Sequence, residues 1–380
     1  MKSKSGLWYG WALCLAALVC AGCTAAIEQA PPLAVNPDLE LVFSRGDREL
    51  VIIGADGRDP VPLLSSETTL IVPRFSPSGD QIAFYDIGTP DLPVSSVNVS
   101  LAVAQVQADG TENPQHAAEV LITPFGLPQY DLDHRLMIDD VIAPLWEPSG
   151  ESLVVPHNNG IERIALSGER SALVEGERIT AAALFPGGDR VVYSNGENIF
   201  VLDLGSGRNE ALLNGDFVPK FGNRRIRAVA VSPDGRDVSF GLGCDVYVFD
   251  AAANTARKAF AVSHGVYWIA YLSGGKDLLV LSGKEDRRRA VVSPWASVMD
   301  GEYALVVGAV GGGPTRKLFS AHLVDVRDAR PDLSPDGRYV SVGVQDGAAR
   351  EIVVVAVDGS GTVTLASDGP GAFASWRPAR

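Results

Sequence analysis

An acidic cluster is the clearest candidate for metal chemistry in this sequence. Asp131, Asp133, His134, Asp139 and Asp140 lie close together in the chain and supply the carboxylate oxygens that a hard cation such as calcium prefers. Their spacing matches no established calcium loop and lacks the glycine turn of an EF-hand, which favours a solvated acidic loop. We therefore expect no obligatory cofactor. If calcium binds, its expected ligands are Asp131, Asp133 and Asp139.

A second group of side chains has the chemistry to bind an anion or a carboxylate. Its members lie before or at the start of predicted strands: Arg178, Arg224, Arg225, Arg227, His264, Tyr267 and Arg330. Guanidinium groups bind carboxylates through paired hydrogen bonds. The alternative is that these arginines only balance nearby Asp and Glu, while the histidine and the tyrosine pack as ordinary structural residues.

Sequence motifs for catalysis are missing. The chain has no Gly-x-Ser-x-Gly nucleophile elbow, and the glycines from 308 to 313 lack the Lys-Ser/Thr ending of a phosphate loop. The five histidines are scattered without metal-ligand spacing. These absences favour a protein that is not an enzyme.

The N-terminus has the layout of an export signal. Lys2 and Lys4 precede an apolar run from Trp11 to Val19 that is short for a membrane-spanning helix. The junction Cys20-Ala21-Gly22-Cys23 resembles the bacterial lipobox, which implies a signal peptide over residues 1–22 and a diacylglycerol on Cys23. A plain secretory signal cut near Ala25 or Ala26 is the alternative.

The residues after the signal predict a tether and then one folded domain. Residues 23–37 are rich in Ala and Pro and show no strand pattern, which is typical of a flexible tether. Cys244 is the remaining thiol of the folded domain, residues 38–380. Because it begins an alternating run that ends at Phe249, we expect a buried structural thiol.

Composition and charge restrict both the fold and the partners. The 40 glycines and 24 prolines suit many short strands joined by tight turns. The formal charge is −14, which repels phosphate backbones, so we expect no nucleic-acid partner.

A repeated turn predicts the architecture. Apolar strands are followed by turns of the type Ser-Pro-Asp/Ser-Gly, in which Pro presets φ and Gly takes the left-handed conformation. The three clearest copies are Ser76-Pro77-Ser78-Gly79, Ser232-Pro233-Asp234-Gly235 and Ser334-Pro335-Asp336-Gly337. Weaker copies end at Gly150, Gly188 and Gly275.

The spacing of the turns predicts an all-β propeller of seven four-stranded blades. Three intervals between the turn glycines are close to the ~40 to 50 residues of one blade, and the two longer intervals indicate blades with insertions, at 113–141 and 284–313. The last strand, near Trp376, and the first strands, near Phe43 and Ile52, then combine into a closing blade. Closure removes the open sheet edge that would invite aggregation.

These residues resemble the WD-like propeller repeat of the TolB family. The best match runs from Ala228 to Arg236 and continues from Asp245 to Asp250, with the blade from Arg330 to Leu365 nearly as good. The resemblance implies a propeller, and the family's members bind other envelope proteins. Unlike those members, this sequence leaves no room for an N-terminal α/β domain between Cys23 and the first strand.

Together, these features predict a monomeric envelope lipoprotein that faces the periplasm or the cell exterior. We expect it to bind or scaffold an envelope protein or peptide through one propeller face, with the lipid anchor as its only membrane contact. The alternative is a small-ligand, glycan or peptide-processing site in the central channel.

The turn assignment is tested by replacing two of its glycines. Gly235→Val and Gly337→Val should each destabilise the fold by ~1 to 2 kcal/mol, because a β-branched residue is strained in the left-handed conformation. Thermal melting of the purified variants measures this loss, and unchanged melting in both variants would contradict the assignment.

Overall fold

The computed structural model describes residues 33–46, 48–87, 98–106, 119–120, 125–126, 142–157, 159–213, 225–251, 253–284, 301–323, 331–346, 349–366 and 373–379. Within these ranges, 29 strands form seven antiparallel sheets and no α-helix occurs. None of the described segments is therefore a helix that could cross a membrane. The predicted all-β, seven-bladed propeller is confirmed. Blades are numbered along the chain below, with strands given from the central channel outward.

The first three blades follow one another directly. Blade 1 contains β4 (Thr69–Phe75), β5 (Gln81–Ile87), β6 (Asn98–Gln105) and β7 (Glu119–Val120), and β8 (Phe125–Gly126) also pairs with β6. Blade 2 contains β9 (Leu145–Trp146), β10 (Ser152–His157), β11 (Gly160–Ala165) and β12 (Arg170–Glu175). Blade 3 contains β13 (Ala181–Leu184), β14 (Arg190–Ser194), β15 (Ile199–Asp203) and β16 (Asn209–Ala211).

The other four blades complete the ring. Blade 4 contains β17 (Ile226–Val231), β18 (Asp237–Leu242), β19 (Asp245–Asp250) and β20 (Thr255–Ala261). Blade 5 contains β21 (Gly265–Tyr271), β22 (Asp277–Gly283), β23 (Gly301–Ala309) and β24 (Arg316–Leu323). Blade 6 contains β25 (Asp332–Leu333), β26 (Tyr339–Asp346), β27 (Ala349–Ala356) and β28 (Thr362–Ala366). Blade 7 contains β29 (Ala374–Trp376), β1 (Glu40–Arg45), β2 (Glu49–Gly54) and β3 (Val61–Ser65).

All six predicted turns join the first and second strands of a blade. Their fourth-position glycines have φ between 65° and 72°, and each glycine N–H donates to the carbonyl three residues earlier at 2.8–2.9 Å. In the clearest copies the serine side chain stabilises the turn with further hydrogen bonds. Ser232 Oγ donates to Asp234 Oδ1 at 2.6 Å and accepts the N–H of Asp237 at 2.9 Å.

Apolar side chains between neighbouring sheets form the core. One cluster, for example, combines Val246 and Val248 of blade 4 with Leu278 and Val280 of blade 5, all at most 1% exposed. Such face-to-face packing holds successive blades together, because each sheet buries both of its faces against its neighbours.

The insertion predicted over 284–313 is shorter than expected. Residues 301–309 form β23, whose pairing with β22 runs from Asp277 opposite Ala309 to Gly283 opposite Tyr303. Tyr303, Leu305 and Val307 alternate along this strand, but the glycine-rich stretch from 308 to 313 favoured an irregular segment in the sequence-based prediction. The insertion predicted over 113–141 includes β7 and β8, and its remaining residues lie outside the described ranges.

The predicted closing blade is confirmed. Leu41 pairs with Trp376 and Phe43 with Ala374, so the first and last strands of the chain lie side by side. Arg377 strengthens this junction, because its backbone N–H donates to the carbonyl of Glu40 at 2.9 Å and its Nη1 donates to Glu40 Oε2 at 2.6 Å.

Asp332 fastens the closing strand to the channel wall. Its Oδ2 accepts the backbone N–H of Trp376 at 3.0 Å, and its carbonyl accepts the indole N–H of the same residue at 2.9 Å. Its Oδ1 lies 3.0 Å from Nη1 of Arg74 on β4. One carboxylate therefore connects blades 6, 7 and 1.

The described part of the predicted tether, Leu33 to Pro37, packs against the propeller. Val35 is 8% exposed, and the hydroxyl of Tyr339 donates to the carbonyl of Ala34 at 3.3 Å. The rest of the predicted tether and the predicted signal peptide lie outside the described residues.

Removal of the Asp332 carboxylate should weaken ring closure. Asp332→Ala should lower the free energy of unfolding by about 2 kcal/mol, because hydrogen bonds to a charged group are lost and a backbone N–H loses its acceptor. Chemical denaturation measures this change. Glu210→Ala is the control, since Glu210 pairs with Arg208 on the open surface and such pairs contribute less than about 1 kcal/mol. Equal losses in the two variants would refute the role of Asp332.

Candidate interaction face

The two sides of the ring differ in the loops that they carry. One side, here the turn face, carries the six Pro/Gly turns and the hairpins that lead to the outermost strands. The other side, here the crossover face, carries the hairpins between second and third strands and the connections from one blade to the next. This division follows from the antiparallel strand order of every blade.

The predicted binding residues that the structure describes all lie at the crossover face. Arg225 immediately precedes β17, Arg227 is its second residue, His264 precedes β21 and Tyr267 is its third residue. Arg178 lies in the connection that leads into β13. Arg330 and Arg224 lie outside the described residues.

Arg227 and Tyr267 come into direct contact. The guanidinium carbon of Arg227 lies 5.3 Å from the ring centroid of Tyr267, a cation–π geometry. Both residues lie where the strand register shifts, between Ile226 and Val229 in β17 and between Val266 and Trp268 in β21. Bulges redirect side chains, and here two of them bring residues of neighbouring inner strands together.

Two glycines make room for an aromatic pair behind this contact. Gly265, Gly283 and Tyr303 are paired across blade 5 at the crossover face. A Cβ on Gly283 would lie 1.8 Å from Cδ1 of Tyr303, so the tyrosine ring lies directly against the glycine backbone. The rings of Tyr267 and Tyr303 then meet edge to face, with centroids 6.1 Å apart. Arg227, Tyr267 and Tyr303, here called the aromatic row, run from the channel mouth outward.

The remaining predicted residues flank the aromatic row without joining it. Cδ of Arg225 lies 3.9 Å from the position that a Cβ on Gly196 would take, which places this arginine at the junction of blades 3 and 4. The backbone N–H and carbonyl of His264 both bond to Ser282 Oγ at 3.3 Å, at the junction of blades 4 and 5. The described arginines therefore lie at separate positions around the mouth of the central channel and do not form a single ring.

His157 is a partly buried titratable group on the same face. It ends β10, and its Nδ1 accepts the N–H of Asn159 at 3.2 Å. Burial lowers the pKa of its imidazole, with Glu162 opposing the shift and Arg170 adding to it. The neutral ring is therefore favoured, which suits a structural hairpin residue.

Cys244 is exposed, and the prediction of a buried thiol is wrong. Gly243 and Cys244 form the two-residue hairpin between β18 and β19, with Gly243 at φ 63°. The alternating run begins at Asp245, one residue later than the sequence suggested. Hairpin tips face solvent, which explains the exposure.

Sequence reasoning missed the residues that act through long-range contacts. Tyr303, Gly283, Arg74 and Asp332 carry no motif, and their partners lie on other strands. The proline before Arg74 and the proline before Asp332 are the only local signals of irregular inner strands. Because both oxygens of Asp332 are occupied, its ion pair with Arg74 is structural.

Metal binding finds no support among the described residues. Within those ranges, no group of three or more His, Cys, Asp and Glu side chains could hold a metal ion. The calcium ligands predicted at Asp131, Asp133 and Asp139 lie outside them, as does the lipidation site predicted at Cys23. Both stay predictions.

Comparison with solved structures finds chains of similar fold at low sequence identity. TolB from Acinetobacter baumannii shares 15% identity with a TM-score of 0.49, covering 91% of this chain and 68% of that one. A chain of a mitotic checkpoint complex shares 15% identity with a TM-score of 0.54, covering 83% of this chain and 84% of that one. The Cps50 (Swd1) β-propeller domain of Myceliophteria thermophila shares 12% identity with a TM-score of 0.48, covering 75% of this chain and 85% of that one. Likeness at this level of identity concerns the fold alone.

Sequence comparison gives no family. No protein-family model matches the chain, and no curated protein matches it either.

The aromatic row is tested by filling the space at Gly283. Gly283→Ala should lower the free energy of unfolding by about 1 to 3 kcal/mol, because the added methyl group displaces the buried ring of Tyr303. Chemical denaturation gives the loss, and near-ultraviolet circular dichroism reports the displaced tyrosine. Gly274→Ala is the matched control, since a Cβ there meets nothing within 4 Å. A near-neutral Gly283→Ala would contradict the close packing.

Proposed function

We propose that this protein is a membrane-anchored envelope lipoprotein that binds another protein or a peptide through its crossover face. The observation that carries the proposal is the asymmetry of the ring. The described ends of the chain lie at the turn face, whereas the crossover face carries the aromatic row and the blade connections. We propose that the chain acts as a monomer and without catalysis.

The placement of the chain ends supports the choice of face. β1 starts and β29 ends at the turn face, where Arg377 holds Glu40. Val35, just before β1, packs into the same region. A partner on the opposite side would meet neither end of the described chain.

The lengths of the connections support the same choice. The segments between β8 and β9 and between β22 and β23 are the two longest links that join strand ends at the crossover face. Long insertions between the strands of a rigid scaffold are where recognition residues concentrate, and most residues of these two segments lie outside the described ranges. A seven-bladed ring closed by paired terminal strands provides such a scaffold.

The character of the described surface favours a polar interface. Among the described residues, Val61 is the single large apolar side chain that is strongly exposed, and it lies on β3 at the outer edge of blade 7. Recognition at the crossover face would therefore use arginine and tyrosine, two residue types that are enriched at binding hot spots. The net charge of −14 argues against nucleic acid as the partner.

The lipid anchor is proposed from the sequence of the signal region. The protein with Cys23→Ser should fail to incorporate labelled palmitate and should leave the membrane fraction, because the acylated thiol is gone. Cys14→Ala is the control and should keep both properties. Absence of label in the wild-type protein would indicate a plain secretory signal and would overturn the anchoring.

The interaction face can be tested with thiol-directed photo-cross-linking in intact cells. Native Cys244 places the cross-linker on the crossover face, and the Cys244→Ser, Ser149→Cys double variant moves it to an exposed turn on the turn face. We expect a discrete protein adduct from Cys244 that is absent from the double variant. An adduct from the turn face alone, or from neither position, would overturn the proposal.

A further inference from the structure

A second candidate site lies on the turn face, away from the proposed interaction face. A pocket of about 350 Å³ opens between blades 5 and 6, within the size range of small-ligand sites. Its walls include Leu33 and Ala34 before β1, Arg316 at the start of β24, and Arg338, Tyr339 and Asp358 of blade 6.

Arg316 is a fixed cation at this pocket. Its Nη1 donates to the carbonyl of Asp358 and its Nη2 to the carbonyl of Val357, both at 2.9 Å. The guanidinium also lies against Gly359, where a Cβ would come within 2.6 Å of Nη1. A guanidinium has five N–H donors, so these two bonds orient the group and leave donors for a ligand.

Arg338 is a second cation, and an internal repeat shows that its placement is unusual. Ser334-Pro335-Asp336-Gly337-Arg338 matches Ser232-Pro233-Asp234-Gly235-Arg236 residue for residue. Arg236 Nε lies 3.7 Å from its own turn aspartate, Asp234. Arg338 instead lies beside the ring of Tyr339, 5.7 Å from its centroid, and pairs with no carboxylate within the described residues.

The pocket's own carboxylate does not neutralise both arginines. Asp358 Oδ1 accepts the backbone N–H of Ser360 at 2.8 Å, which directs it into its own turn. Hydrogen bonds from the side chain and backbone of Ser360 lower the pKa of this carboxyl group, with smaller contributions from Arg316 and Arg338. The pocket therefore keeps an excess positive charge on a chain of formal charge −14.

We propose that this turn-face pocket binds the phosphate group of a small organic ligand. Two guanidinium groups supply paired N–H donors for phosphate oxygens, and Leu33 and Ala356 provide apolar walls for the rest of the molecule. The proposal is independent of the interaction at the crossover face. The phosphate could belong to a soluble metabolite or to a lipid headgroup, and the test separates these sources.

Binding is measured by isothermal titration calorimetry on the full-length protein purified in a nonionic detergent. Glycerol 3-phosphate is the soluble probe, and dihexanoylphosphatidylglycerol is the lipid headgroup probe. We expect at least one probe to bind the wild-type protein, and the tighter of the two identifies the source of the phosphate.

Two arginine variants test whether the phosphate probes bind in this pocket. Arg338→Ala should weaken binding at least tenfold, whereas Arg236→Ala, the same position in the matching turn of blade 4, should leave it unchanged. Both side chains are exposed, so thermal melting should show that both variants fold. Equal binding by wild type and Arg338→Ala, or no binding of either probe to the wild-type protein, would overturn the proposal.

Discussion

The carboxylate of Asp332 is the constraint on which the ring depends. The strand that closes the propeller, β29, has three residues, so its backbone pairing with β1 is short. Asp332 accepts its backbone N–H and binds Arg74 of blade 1, so the closing strand is held from its channel side as well. Because each oxygen of this partly buried carboxylate has a partner, the cost of leaving a buried charge unpaired is avoided.

The repeated turn shows how one structural task is met by different residues. Three blades use a buried serine, which accepts a backbone N–H five residues later. Blade 2 has Glu147 in that position, and its carboxylate instead binds Ser152 and Arg163. Blade 3 has Phe185, and the guanidinium carbon of Arg190 lies 4.1 Å from the centroid of its ring. The glycine geometry is common to all, because the hairpin requires a left-handed residue there.

The sequence predicts the features that local chemistry determines. The six turns, the number of blades and the pairing of terminal strands followed from Pro and Gly positions and from apolar runs. The limits of β23 and the exposure of Cys244 did not, because alternation alone cannot fix where a hairpin begins. The contact of Arg227 with Tyr267 depends on bulges in two strands, and the Asp332 network joins residues far apart in the chain. Neither the Arg227 contact nor the Asp332 network leaves a pattern within one segment of sequence. The sequence therefore predicts that the arginines lie on one face, but it does not predict which side chains they contact there.

The pairing of Leu41 with Trp376 also governs the order in which the molecule can assemble. Blade 7 is incomplete until β29, which follows the other described strands in the chain, reaches β1, so before that pairing forms the sheets make an open arc with unpaired strand edges. Contacts of such large sequence separation form slowly. Until Leu41 and Trp376 pair, the unpaired strand edges are open to association with other chains, so the unclosed arc is the folding stage at which chaperone protection matters most.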